Sequence, residues 1–219
     1  MSAEQFLIDS VVIALQRELP PVMRWAGAIS RQLRQHNIAL EGKSSGSRET
    51  DALTLADLTV QELLVGALRD LDPVFRRCRI EAEESTGDLD AFTPDSPVTI
   101  ALDPIDGTKQ FRDHTGNGYA VMVHVRTVET VVASLVFAPE TGSHGTWVQA
   151  WGTTVKCGPD DPTRTATEVL ARLPAITRES RQPSRKIYLI GFQKEDRARA
   201  ELVSQLGLEG VPPDDMPGS

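Results

Sequence analysis

Residues 98–108, with the sequence VTIALDPIDGT, determine how this chain folds around its acidic residues. The first five residues are apolar or β-branched and predict a buried strand. Pro104 and Gly107 then predict the end of that strand and a tight turn. Asp103 and Asp106 are therefore expected to project from one strand end into a small volume, where their oxygens could bind a hard cation.

The turn after the strand is suited to an anion. The backbone N–H groups of Gly107 and Thr108 are expected to face a position where a phosphate could bind. Taken alone, this stretch could equally be an ordinary turn, because Asp-Pro and Asp-Gly are common turn formers. Two further acidic segments lie at predicted element boundaries, residues 80–86 (IEAEEST) and residues 50–57 (TDALTLAD). Together the three segments favour a phosphoryl-transfer site that holds both metal and phosphate.

Each acidic segment also has a simpler interpretation. Glu81, Glu83 and Glu84 could form a solvated acidic run, although the downstream stretch favours Glu83 as a ligand and leaves Glu81 on the surface. Asp57 could be a plain helix cap, which is compatible with a catalytic role. Asp51 is expected to be a loop carboxylate.

Composition limits the class of protein. The chain has 219 residues, 40% of them hydrophobic, and a net charge of −8, with no basic patch that would suit a nucleic acid. Its first residues do not have the pattern of a signal peptide, and no stretch approaches the length of a membrane span, so we expect a cytoplasmic location. Cys78 and Cys157 are expected to be reduced. An acidic protein repels an anionic substrate unless bound cations reverse the local field.

The periodicity of apolar residues predicts helices first and a mostly antiparallel sheet afterwards, which is an α+β fold. Pro20 and Pro21 are expected to break or kink the first helix into two segments. The predicted helices cover residues 4–36, 58–71 and 194–206, and the predicted strands cover 78–83, 98–103, 119–126, 128–137, one or two strands within 144–156, and 186–191. Residues 40–50 and 158–162 are predicted loops.

Several of these segments resemble one known family. Residues 82–85 (AEES) and 103–108 (DPIDGT) resemble the signature of the inositol monophosphatase family. These Mg²⁺-dependent, lithium-sensitive phosphatases include 3′(2′),5′-bisphosphate nucleotidases and are related to fructose-1,6-bisphosphatases. Residues 51–57 are similar to the family's entry to its second helix, and residues 135–142 to a later strand and turn. The resemblance covers residues 40–145 well and implies a layered αβαβα sandwich.

The resemblance implies a set of metal ligands. Glu83, Asp103 and the backbone carbonyl of Ile105 would hold one Mg²⁺ ion, and Asp103 and Asp106 a second. Glu83 would also contact a third, weakly held ion. Glu84 would support these ligands without binding a metal ion itself. Carboxylate and carbonyl oxygens are the donors that Mg²⁺ prefers, and no cluster of His or Cys competes with them.

The resemblance also implies the residues that handle the substrate. The amides of Gly107 and Thr108 would hold the phosphate, next to Asp106. The Thr108 hydroxyl and Asp57 would orient the attacking water, and Glu83 would take part in catalysis through its metal ions. The implied activity is hydrolysis of a small phosphate monoester, of the inositol phosphate, sugar phosphate or 3′-phosphoadenosine 5′-phosphate type.

One feature of the family has no counterpart in this sequence. The family's last ligand is an aspartate near the C-terminus, and the resemblance implies that this chain is cut off before it, which would weaken the second metal site. We expect a metal- and phosphate-binding lobe over residues 1–157 and a partial lobe over residues 158–219. A homodimer partner could cover an exposed apolar face. The alternative to a phosphatase is a catalytically weak family member that binds metal and phosphate or regulates another protein.

Overall fold

The computed structural model describes residues 2–36, 54–114, 118–177 and 179–180, and the short pieces 186–188, 205 and 209–211. Its helices are α1 (Ala3–His36), α2 (Leu55–Asp70), α3 (Thr108–Asp113) and α4 (Ala166–Arg172), and its strands are β1 (Arg79–Ala82), β2 (Thr99–Asp106), β3 (Ala120–Arg126), β4 (Val131–Ala138), β5 (Thr146–Trp151), β6 (Thr154–Pro159), β7 (Lys186–Tyr188) and β8 (Glu209–Val211).

The strands β1 to β6 form one sheet in sequence order, and the α1–α2 pair packs against one of its faces. Strand β1 is parallel to β2, and every later pair in this sheet is antiparallel. Alternate residues of β3, namely Val121, Val123 and Val125, are fully buried, as one covered face requires. The prediction of an α+β fold with a mostly antiparallel sheet is confirmed. Strands β7 and β8 form a separate parallel pair.

Helix α1 is continuous from Ala3 to His36, so Pro20 and Pro21 do not break it, and a kink at these prolines stays a prediction. A proline inside a helix leaves the carbonyl four residues earlier without its N–H donor. For Pro21 that carbonyl belongs to Arg17, and the hydroxyl of Thr167, in α4, donates to it across 3.5 Å. Leu19, on the same stretch of helix, is fully buried in the core. Packing of this stretch against the rest of the protein therefore outweighs the tendency of proline to end a helix.

Several predicted boundaries need smaller corrections. Strand β1 begins at Arg79 rather than Cys78, and β6 continues through Pro159, into the predicted loop. Strand β4 begins at Val131 rather than Val128, because the Thr127 N–H donates to the Thr130 carbonyl at 2.9 Å and closes a turn. The predicted loop at 40–50 and almost all of the predicted helix at 194–206 lie outside the described residues.

Two further expectations bear on the whole chain. Within the described ranges, no helix combines the length and the apolarity that crossing a membrane requires. The division into lobes over residues 1–157 and 158–219 stays a prediction. Helix α4, which follows the predicted boundary, packs against α1.

Candidate active site

A β-bulge near the end of β2 brings the two aspartates of the opening stretch onto one face of the sheet. Asp103 lies opposite Met122 of β3 and Asp106 opposite Ala120, so β2 has two intervening residues where β3 has one. Residues three apart on a regular strand would face opposite sides. The extra residue of the bulge reverses the second aspartate, so that both carboxylates project from the same face.

The bulge also corrects the prediction that Pro104 ends the strand. Strand β2 continues through Pro104 to Asp106. A proline has no N–H to give to a ladder, and a bulge is one of the few positions in a sheet that accepts it. The chain turns only at Gly107, whose φ of 91° lies in the left-handed region, and α3 begins at the next residue.

Glu83 lies beside the two aspartates. Strands β1 and β2 are parallel, and Ala82 pairs with Leu102. Glu83, the residue after β1, therefore lies next to Asp103 of β2. The pKa of Asp103 is raised to about 8, mainly by burial and further by the charge and hydrogen bond of Glu83 and the charge of Asp106. The N–H of Ile105 donates to Asp103 Oδ1 at 3.1 Å and opposes this rise.

Glu83 also affects the pKa of Asp106. Burial is the main cause that raises the pKa of Asp106, the charge of Glu83 raises it further, and His124 opposes the rise. Carboxylates that repel one another in a partly buried place form a donor set that a hard cation would stabilise. The set therefore suits Mg²⁺ in charge and in chemistry.

The side chains are neighbours, but they do not converge on one point. Among the described residues, no group of three or more His, Cys, Asp and Glu side chains is arranged so that it could hold a metal ion. The backbone register thus brings Glu83, Asp103 and Asp106 together, and their roles as ligands, with the carbonyl of Ile105, stay predictions.

Asp57 belongs to the same site, through Thr108. The Thr108 hydroxyl lies 3.1 Å from Asp57 Oδ1 and 2.9 Å from the carbonyl oxygen of Ile105, and it can donate its one proton to either. When the proton points to Asp57, the oxygen lone pairs of Thr108 are free to accept from a water. Asp57 is fully buried, and this burial raises its pKa against the opposing hydrogen bonds from Thr54 and Thr108.

Asp57 takes part in the cap of α2, as the sequence interpretation allowed, but it is not the N-cap residue. Helix α2 begins at Leu55 rather than Leu58, and Thr54 is its N-cap residue. Asp57 occupies the third helical position, and its Oδ2 accepts from the N–H of Thr54 at 2.7 Å and from the hydroxyl of Thr54 at 2.6 Å. This is a capping box, which uses one carboxylate oxygen and leaves the other for Thr108.

Two residues that the sequence interpretation missed hold the site from behind. The buried Gln61 bonds the backbone just after Glu83 with both ends of its amide. Arg34 of α1 donates to the carbonyls of Phe111 at 2.9 Å and Gln110 at 3.0 Å, so it anchors the last turn of α3. Gln61 could have been noticed as a polar residue within a buried helical stripe. The role of Arg34 could not, because its partners are far away in sequence.

The remaining acidic and basic candidates lie outside this cluster or pair elsewhere. Glu81 forms ion pairs with Arg79 and Arg126, which agrees with its surface interpretation. His124 Nδ1 lies 2.9 Å from the hydroxyl of Ser134. Asp51 lies outside the described residues.

Comparison with known proteins assigns the class and then the family. The six-stranded mixed sheet and its helices define an α+β protein. A model described as the inositol monophosphatase family matches residues 19–206, and the chain belongs to this family. Its members are phosphatases and are generally metal-dependent, so the chain is by class a phosphoric monoester hydrolase.

Solved structures share the fold at low sequence identity. CysQ from Bacteroides thetaiotaomicron, a bacterial member of the family, is 17% identical with a TM-score of 0.62, and the match covers 93% of this chain and 72% of that one. The extragenic suppressor protein suhB from Bartonella henselae is 15% identical with a TM-score of 0.61, covering 88% and 67%. An IMPase from Thermotoga maritima is 16% identical with a TM-score of 0.58, covering 88% and 65%. No curated protein sequence matches this chain.

Proposed function

We propose that this protein is a Mg²⁺-dependent phosphatase that hydrolyses a small phosphate monoester by means of a metal-activated water. The observation that carries the proposal is the bulge in β2, which sets Asp103 and Asp106 on one face, beside Glu83. The proposed substrates are inositol phosphates, sugar phosphates or nucleotides of the 3′-phosphoadenosine 5′-phosphate type.

The proposed ligands are Glu83, Asp103, Asp106 and the Ile105 carbonyl, and they would hold two or three Mg²⁺ ions. When bound, Mg²⁺ supplies neutralisation of the ester's charge, a water of lowered pKa and stabilisation of the leaving oxygen. The carboxylates supply the negative charge that holds the cations, and their positions at the neighbouring ends of β1 and β2 fix where the phosphate must lie.

The chain's own residues orient the reactants. The amides of Gly107 and Thr108, at the turn into α3, are proposed to bind phosphate oxygens beside Asp106. The Thr108 hydroxyl donates a hydrogen bond to Asp57, and its oxygen accepts a hydrogen bond from the attacking water. This second bond orients a lone pair of the water towards phosphorus. Asp57 is held by Thr54, so this pair is fixed before substrate arrives.

A second candidate function is a metal- and phosphate-binding or regulatory protein with little turnover. The observation that favours it is the lack of convergence of the carboxylates among the described residues. Lithium sensitivity is a further proposal from the family resemblance, and a homodimer is one from the expected exposed apolar face.

Calorimetry and a turnover assay on the same preparation distinguish the two functions. Mg²⁺ and inorganic phosphate are titrated into the full chain, and phosphate release is measured with inositol monophosphate, fructose 1,6-bisphosphate and 3′-phosphoadenosine 5′-phosphate. Binding of Mg²⁺ together with release from at least one ester supports the phosphatase. Binding without release from any of them supports the regulatory protein, and the lack of Mg²⁺ binding contradicts both.

A further inference from the structure

Gln61 holds the loop that follows Glu83. Its Nε2 donates to the carbonyl of Glu84 at 2.6 Å and to the carbonyl of Thr86 at 2.7 Å, and its Oε1 accepts from the N–H of Glu84 at 2.8 Å. All three bonds are to backbone, and Gln61 is fully buried. One amide side chain therefore uses both of its ends to fix three polar groups of one loop.

These bonds fix the backbone of Glu83 from its C-terminal side. On its N-terminal side, Ala82 is the last residue of β1 and pairs with Leu102 of β2. After Glu83 the strand has ended, and Gln61 bonds both the N–H and the carbonyl of Glu84. Glu83 thus lies between a sheet ladder and a side-chain clamp, although it is itself on a loop.

A single stripe of α2 reaches both parts of the site. Asp57 and Gln61 are one helical turn apart, so they lie on the same side of the helix. Asp57 contacts the turn at Thr108, and Gln61 contacts the loop after Glu83. One turn further, Val65 lies against the same loop, since a Cβ on Gly87 would come within 3.0 Å of Val65 Cγ1.

We propose that Gln61 is a positioning residue that holds Glu83 beside Asp103 and so sets the affinity of the site for Mg²⁺. This inference rests on the proposed function, because it takes Glu83 as a metal ligand. Residues behind metal ligands typically change metal affinity by about 10- to 100-fold when they are replaced. A neutral amide suits this place, because it donates and accepts without adding charge next to three carboxylates.

The test compares Gln61→Met with Val60→Ala in the full chain. Val60 is the preceding residue of α2, is fully buried, and has no polar atom that could bond the loop. Both variants destabilise the protein, by unpaired backbone groups in one case and by a cavity in the other. Mg²⁺ is titrated by calorimetry, and amide hydrogen exchange is measured without metal. Gln61→Asn, which keeps a buried amide that is too short to reach the loop, replaces the methionine variant if that variant does not fold.

In Gln61→Met we expect the half-saturating Mg²⁺ concentration to rise about 10-fold and the Glu84 amide to exchange at least about 10-fold faster. Val60→Ala should leave both close to the wild type. An unchanged Mg²⁺ midpoint or an unchanged exchange rate of the Glu84 amide in the Gln61 variant overturns the proposal. If the wild type binds no Mg²⁺, the proposed function fails, while the exchange of the Glu84 amide still decides whether Gln61 holds the loop.

Discussion

Replacing Asp103 by asparagine should stabilise the metal-free protein while removing its stabilisation by Mg²⁺. The pKa of Asp103 rises to about 8, first through burial and then through the charge of Glu83. The folded protein therefore keeps a proton that the unfolded chain releases. Because the folded state binds more protons between about pH 4 and pH 8, the stability of the metal-free protein falls as pH rises through this range. Asparagine keeps the shape and the acceptor for the Ile105 N–H without the charge.

The size of the effect follows from the position of that pKa. A pH of 7 lies about 3 units above the ordinary carboxyl pKa of 3.8. This difference corresponds to a loss of at most about 4 kcal/mol in the free energy of unfolding of the wild type. Asp103 is only partly buried and interacts with a second carboxylate, so solvent screening leaves about half of this, roughly 2 kcal/mol. For a chain of this length, that raises Tm by about 4–8 °C.

The assay is thermal unfolding of the wild type and Asp103→Asn at pH 5 and pH 8, each with EDTA or with excess Mg²⁺. The variant should have the higher Tm with EDTA at pH 8, a smaller advantage at pH 5, and no gain from Mg²⁺, whereas the wild type should gain. Asp95→Asn, at an exposed carboxylate outside the cluster, controls for the loss of one negative charge. A lower Tm for Asp103→Asn with EDTA at pH 8, or an undiminished gain from Mg²⁺, would refute the reasoning.

Three other substitutions separate the site from its support. Thr108→Val removes the hydroxyl that faces Asp57, and we expect kcat to fall about 100-fold with the Mg²⁺ midpoint unchanged. Steady-state kinetics measures kcat and calorimetry measures the Mg²⁺ midpoint. An unaltered kcat would contradict the water-orienting role. Arg34→Met removes the side-chain donor to the Phe111 and Gln110 carbonyls, of which Gln110 keeps the N–H of His114, and should destabilise the fold by about 2 kcal/mol. Urea unfolding measures this change, and a stability equal to that of the wild type would contradict it. Gly27→Ala places a Cβ 2.6 Å from Phe137 Cε1 and should lower the free energy of unfolding by about 1–3 kcal/mol. The Mg²⁺ affinity of the folded protein should not change, and a shifted affinity would contradict the view that this core contact is independent of the site.

Local patterns were enough to predict the sheet and the acidic strand end. Alternation along residues 119–126 and 128–137 predicts two strands, and both form, with ends that differ by up to three residues. The position of Asp103 and Asp106 at the end of a buried strand was also predicted, because an apolar run followed by Pro and Gly is a strong local signal.

Long-range contacts decided the features that the sequence did not predict. The bulge in β2 depends on how it pairs with β3, and no local rule states which strand carries an extra residue. Helix α1 continues through Pro20 and Pro21 because other elements pack around it. The contacts of Gln61 lie 23 and 25 residues away in sequence, so a single sequence gives no direct sign of them.

The central claim is that the acidic bulge of β2 binds the Mg²⁺ that supports phosphate hydrolysis. The most direct measurement is phosphate release from the preferred ester by the wild type and by Asp106→Asn, as Mg²⁺ is raised from EDTA conditions to saturation. We expect release by the wild type that depends on Mg²⁺ and no Mg²⁺-dependent release by Asp106→Asn, at equal folded concentration. Undiminished Mg²⁺-dependent release by Asp106→Asn would contradict it.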